Sequence, residues 1–128
     1  MNIAQHMQRS GTTFSACPAI AYGTQVLRTY GELADRVARL AFALTYHFKL
    51  KQGDRVALTM SNCPEYLEIL YACWHAGLVT VPVNAKLHQK EFSFILEHSQ
   101  AKLCFVSPHL IETIASLKVE TLKVVIDI

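Results

Sequence analysis

From Arg55 onward the chain alternates short apolar runs with helix-like stretches, and the links between them are short. Arg55–Met60 alternates at Val56 and Leu58 and reads as a strand, followed by a helix over Glu65–Ala76. Leu78–Val83 reads as a strand buried on both faces, His88–Ser99 as a helix with Phe92, Ile95 and Leu96 inward, and Leu103–Val106 as another buried strand. Ser107-Pro108 starts a helix expected to run through Leu117, and Leu122–Ile126 reads as a last strand. Such alternation can bury its apolar surface in few ways. The expected fold class is α/β, a mostly parallel sheet flanked by helices.

The region before Arg55 is organised differently. Ile3–Phe14 is helix-like, and Gly11 is expected to weaken its end. Ala19–Tyr22 and Val26–Tyr30, separated by Gly23-Thr24, read as a β-hairpin. Thr29-Tyr30-Gly31-Glu32 has the form of a capping box. Behind it Leu33, Val37, Leu40, Ala41 and Leu44 form one apolar face of a helix expected to reach about Phe48. Asp35, Arg36 and Arg39 are read as its solvated side. In the next helix, Asn62 is the expected N-cap, Pro64 suits the first turn, and Gly77 suits a left-handed stop. The apolar residues from Tyr66 to Trp74 surround that helix and predict burial on more than one side.

Composition narrows the function classes. With 128 residues and 52% hydrophobic side chains the chain can build a core, and its apolar content predicts self-association or further surface to cover. A net charge of +2 with scattered cations is too small to argue for nucleic acid or an anionic membrane. No apolar stretch reaches the roughly 18 residues of a membrane span, and Met1–Gln8 has no signal-peptide pattern. Cys17, Cys63, Cys73 and Cys104 form no CxxC pair, which fits a reducing, cytoplasmic setting. The apolar strand at the end reads as a chain cut short.

The chemistry-bearing residues are sparse. Gly11, Gly23, Gly31, Gly53 and Gly77 are dispersed and make no phosphate loop. The six histidines lack metal-ligand spacing, and Cys73 and His75 would point about 200° apart on a helix. No metal site is expected. Cys63, near a helix start, is read as a small buried thiol rather than a nucleophile, because no base is positioned for it. No catalytic residue is identified.

Several ordered motifs resemble the N-terminal region of the adenylate-forming (AMP-binding) superfamily. They are Thr29-Tyr30-Gly31-Glu32-Leu33, Gly53-Asp54-Arg55-Val56-Ala57-Leu58 and Asn62-Cys63-Pro64-Glu65-Tyr66. They continue with Ala72-Cys73-Trp74-His75-Ala76-Gly77 and Val81-Pro82-Val83-Asn84. The resemblance covers nearly all of residues 1–128, is strongest to acyl-CoA synthetases of fatty or aromatic acids, and implies the N-terminal portion of a larger adenylation domain. Adenylation domains of peptide synthetases and carrier-protein-loading ligases share the pattern, and a stand-alone α/β interaction module is the reading outside the family.

Membership implies a parent that activates a carboxylic acid with ATP and Mg2+ to an acyl-adenylate and then transfers the acyl group to CoA. The parts that relatives use for this, a Ser/Thr/Gly-rich loop ending in Pro-Lys and a late lysine among them, are not in this sequence, so the fragment is expected to be inactive. One position carries over. Asn84-Ala85-Lys86-Leu87 stands where relatives read Asn-Pro-Arg-Leu, which makes Lys86 the candidate contact for CoA phosphates. Lysine keeps the charge and loses the bidentate fork. Asn84 is read as a turn residue, and His88 as a weak helix cap.

Overall fold

The computed structural model describes residues 1–128. The chain divides into two compact units, Met1–Gln52 with Pro64–Gly77, and Gly53–Cys63 with Leu78–Ile128.

The first unit holds α1 (Ala4–Thr13), the antiparallel hairpin β1 (Pro18–Tyr22) and β2 (Gln25–Thr29), α2 (Tyr30–Phe42) and α3 (Pro64–His75). The capping box forms: Glu32 N–H donates to Thr29 Oγ1 at 3.3 Å, and Thr29 N–H to Glu32 Oε2 at 2.9 Å. Leu33, Val37 and Ala41 are buried behind it, as the periodicity requires. The α-helix stops at Phe42 rather than Phe48. A π-helical turn, Ala43–His47, follows, with Thr45 Oγ1 donating to the Ala41 carbonyl where the α-ladder gives way. Gly77 takes φ +72 and ends α3 as expected.

Expectations for Arg36 and for α3 need correction here, and Gly11 gains a packing role. Gly11 lies in the last turn of α1, two residues before Thr13, where an added Cβ would come 2.4 Å from Ala34 Cβ of α2. Glycine therefore sets how closely the two helices approach. Arg36 is not simply solvated, because its Nε and Nη2 reach the two oxygens of Glu68 on α3 at 2.6 and 3.1 Å. That fork raises the Arg36 pKa, first through the hydrogen bond and then through the carboxylate's charge. Arg39 and Asp35, four residues apart, form an exposed ion pair at 3.0 Å and do stay on the solvated side. Finally, α3 buries only the stripe Ile69, Ala72 and Cys73 at i, i+3, i+4, while Leu67 is 47% exposed. It begins at Pro64, so the exposed Asn62 stands outside the cap position.

The second unit is built on one all-parallel sheet, β3 (Arg55–Thr59), β4 (Val79–Val83), β5 (Leu103–Val106) and β6 (Val124–Asp127), in the order β4-β3-β5-β6. Helix α4 (Gln89–Ser99) links β4 to β5. A 3₁₀ turn, Pro108–Leu110, and the short α5 (Ile111–Ala115) link β5 to β6. That last helix stops short of Leu117, and β6 starts two residues later than expected. Phe92 and Leu96 of α4 and Ile114 of α5 pack with Ala57, Val83, Cys104 and Val106 of the sheet. The central strands β3 and β5 are buried nearly throughout. The expectation of double burial fails for β4, which is an edge strand with Val79 47% exposed. Pro82 explains why this strand can sit there, since a residue without N–H is tolerated at an edge.

The arginine of the Gly53–Leu58 motif has a structural role. Arg55 donates to the carbonyls of Ser99 (2.7 Å), Gly53 (3.2 Å) and Gln100 (3.4 Å) and to Gln100 Oε1 (2.9 Å). It thereby satisfies the end of α4, where Gln100 turns left-handed at φ 53. Beside it Lys102 pairs with Asp54 at 2.8 Å.

At the other margin, the outer side of β6 has no neighbouring strand, and Asp127 at its end is its only charged residue, Val124–Ile126 being apolar and without proline. The chain is expected to self-associate, with light-scattering mass rising with concentration. A clean monomer over a wide concentration range would count against this.

Candidate functional site at the carboxyl edge of the sheet

In parallel α/β sheets ligands bind beyond the carboxyl ends of the strands, above all where neighbouring connections diverge. Here β3 is followed by a connection to β4 on one side, and β5 by a connection to β6 on the other. The divergence lies between the ends of β3 and β5. Ser107 spans it. Its N–H donates to the Thr59 carbonyl at 3.2 Å, and its hydroxyl accepts the Ser61 N–H at 2.9 Å. Ser107 is only 8% exposed, so the two loop starts are fixed to each other. Sequence reasoning missed this pair. The available signal was a serine just past the end of each central strand, in Met60-Ser61-Asn62 and Val106-Ser107-Pro108.

The loop after β4 opens on the same edge. Asn84 Oδ1 accepts the Lys86 N–H at 2.9 Å, an Asx turn that confirms Asn84 as a turn residue. Lys86 is exposed, and its ammonium makes no ion pair or hydrogen bond. His88 stands at the N-cap of α4 in extended conformation, and its N–H donates to Glu91 Oε2 at 2.9 Å. Lys86, His88 and Lys90 thus lie within five residues, all exposed. An anion could meet Lys86 here without displacing any existing partner.

The thiols do not make a reactive centre. Burial pushes Cys73 up to about 12. Burial also raises Cys104, against the lowering effect of Thr59, whose hydroxyl lies 2.8 Å from its sulfur. Cys63 is half-buried rather than fully buried. Residues fit for Mg·ATP are missing as well. Gly23, Gly53 and Gly77 each serve a separate left-handed turn, and no three potential metal-ligating side chains cluster. The edge thus presents exposed polar side chains and no nucleophile–base pair.

Known proteins with this arrangement are adenylate-forming enzymes. The profile of the AMP-binding enzyme family matches residues 7–128. Feruloyl-CoA synthase of an Amycolatopsis species is 43% identical over 99 residues, which cover 77% of this chain and 20% of the relative. Crotonobetaine/carnitine–CoA ligase of Salmonella typhi is 37% identical over 79 residues, 62% of this chain and 15% of the relative. Among solved structures, a fatty acyl CoA synthetase of Mycobacterium tuberculosis superposes with TM-score 0.83 at 30% identity, over 99% of this chain and 26% of that one. A benzoate CoA ligase of Burkholderia xenovorans gives 0.87 at 25%, over 98% and 26%. The fold is that of the N-terminal region of adenylate-forming enzymes. The chain belongs to the AMP-binding enzyme family. It spans about one-fifth of the length of the curated feruloyl-CoA synthase it matches.

Proposed function

We propose that residues 1–128 are the N-terminal portion of the adenylation domain of a cytoplasmic, ATP-dependent acid–CoA ligase. The enzyme would join a fatty or aromatic carboxylic acid to CoA through an acyl-adenylate, with Mg2+ accompanying ATP. The observation that carries the reading is the family match across residues 7–128 together with relatives named as acid–CoA ligases. No step of adenylation is assigned to this chain's own residues, which offer no site for Mg·ATP. Their contribution is the carboxyl-edge surface, where Lys86 would meet a phosphate of CoA as a charge-assisted contact. The test is thioester formation by the longer enzyme with ATP, CoA and a panel of fatty and aryl acids. Thioester from CoA supports the reading. Transfer only to a carrier protein would replace it with the carrier-loading alternative.

Lys86→Ala in that enzyme should raise the Michaelis constant for CoA several-fold and leave acid-dependent pyrophosphate exchange unchanged, because CoA enters after adenylation. The effect should fade with added salt, since exposed charges are screened within about 8 Å at physiological ionic strength. If exchange falls together with thioester formation, Lys86 is structural. If neither changes, it is an ordinary solvated lysine.

A further inference from the structure

We propose that β6 pairs antiparallel with β6 of a second copy of this chain, in one register, and so joins two four-stranded sheets across a two-fold axis. The stretch Leu122-Lys123-Val124-Val125-Ile126-Asp127-Ile128 mirrors itself about Val125, apolar against apolar and cation against anion. With Val125 on the axis, Lys123 stands opposite Asp127 of the second copy, Val124 opposite Ile126, and Leu122 opposite Ile128. Opposite charges directly across an antiparallel pair attract, and like charges repel. Both charges are available for this. Lys123 and Asp127 are exposed, and neither belongs to an ion pair within the chain. Lys123 Nζ donates to the Glu120 carbonyl at 2.6 Å, which uses one of its three hydrogens.

Backbone geometry narrows the choice of register. The inner side of β6 is bonded to β5, so alternate residues turn their N–H and C=O groups to the free edge. In an antiparallel ladder those residues must meet each other, so the numbers of paired residues add to an even number. The neighbouring even registers place Val125 opposite Asp127 or opposite Lys123, charge against valine. A parallel pairing in register would set Lys123 against Lys123. The register centred on Val125 matches both charges and keeps every apolar residue against an apolar one. The contact also closes on itself, because a two-fold pairing uses the same edge of both copies. The opposite margin of the sheet is β4, whose Pro82 has no N–H to offer another strand. A strand pair this short buries little surface, so the dimer should be weak and populated at high protein concentration.

Sedimentation velocity of the full chain should show monomer passing to dimer, and no further, as concentration rises. Lys123→Asp sets like charges opposite each other at two symmetry-related places and should raise the dimer dissociation constant about tenfold. Asp127→Lys should do the same, and the swap Lys123→Asp/Asp127→Lys should return it to the parent value. Both side chains are exposed, so far-UV circular dichroism should match the parent chain. Register is read separately, in a Cys17→Ser background that removes the exposed thiol. There Val125→Cys should crosslink to its own copy on mild oxidation, because Cα atoms of directly opposed residues lie about 4.5–5.5 Å apart, within disulfide reach. Ile126→Cys, offset by two residues from its own copy, should not. A monomer at every concentration, leaving the edge to some other strand, would overturn the proposal. So would oligomers that grow past the dimer, a charge swap that fails to rescue, or crosslinking at Ile126→Cys in place of Val125→Cys.

Discussion

Pyrophosphate exchange by residues 1–128, with ATP and a panel of fatty and aryl acids, is expected to stay at the level of a blank. The reason is chemical rather than a matter of length. Adenylation requires donors arranged around a triphosphate and a metal, and stabilisation of the charge that develops as the acid attacks. Two of the chain's glycines are helix-packing positions, and the other three occupy isolated turns. Its carboxylates do not converge. The strand ends present serines, an asparagine and one unpaired lysine, which can bind and orient but supply no nucleophile or base. Removing this machinery from such an enzyme is worth many orders of magnitude in rate. Exchange clearly above the blank would mean that the active centre has been misplaced, and the reading of these residues as a non-catalytic portion would fall. A positive control with the longer enzyme makes the null result informative.

What could be read from the sequence divides along physical lines. The parallel sheet was legible because β3 carries apolar residues at Val56 and Leu58 and β5 an unbroken apolar run, with short links between strand and helix, and because Thr29–Glu32 and Gly77 mark helix ends by local chemistry alone. Sequence order does not give strand order, so β4 looked like a central strand until the topology put it at the edge. Its Pro82 was the available hint. The π-helical turn after Phe42 was hidden because the apolar period runs on through Leu44 whichever ladder closes the turn. The site was less legible. Lys86 came from resemblance alone, and its place on the carboxyl edge follows from the parallel pairing of β4 with β3. The Ser61–Ser107 bond joins residues far apart in sequence, which only the parallel pairing of β3 and β5 brings together. Arg36 shows the same limit: helical spacing placed it on the polar side of α2, and only the position of α3 turned it into a partner for Glu68.

The largest stability effect from a small change is expected at Gly11. An alanine there would place its Cβ 2.4 Å from Ala34 Cβ and 3.2 Å from the Tyr30 carbonyl oxygen. Neither neighbour is the end of a flexible side chain, so α1 and α2 must separate. Overpacking of this kind costs about 1–3 kcal/mol. Alanine's better helix propensity returns up to about 1 kcal/mol. With the full return, the net for Gly11→Ala is a loss of up to about 2 kcal/mol, and Gly11→Val, bulkier and with a smaller return, should lose more. Urea denaturation followed by circular dichroism measures both. The decisive comparison is the cycle with Ala34→Gly. That change alone should cost about 1 kcal/mol in helix propensity, yet it removes the atom that Gly11→Ala would strike. The double variant should then be more stable than the sum of the single losses predicts, with a coupling of at least about 0.5 kcal/mol. Additive losses would show that the helices are not held apart at this contact, and a neutral or stabilising Gly11→Ala would return Gly11 to the weak helix position that its sequence context suggested.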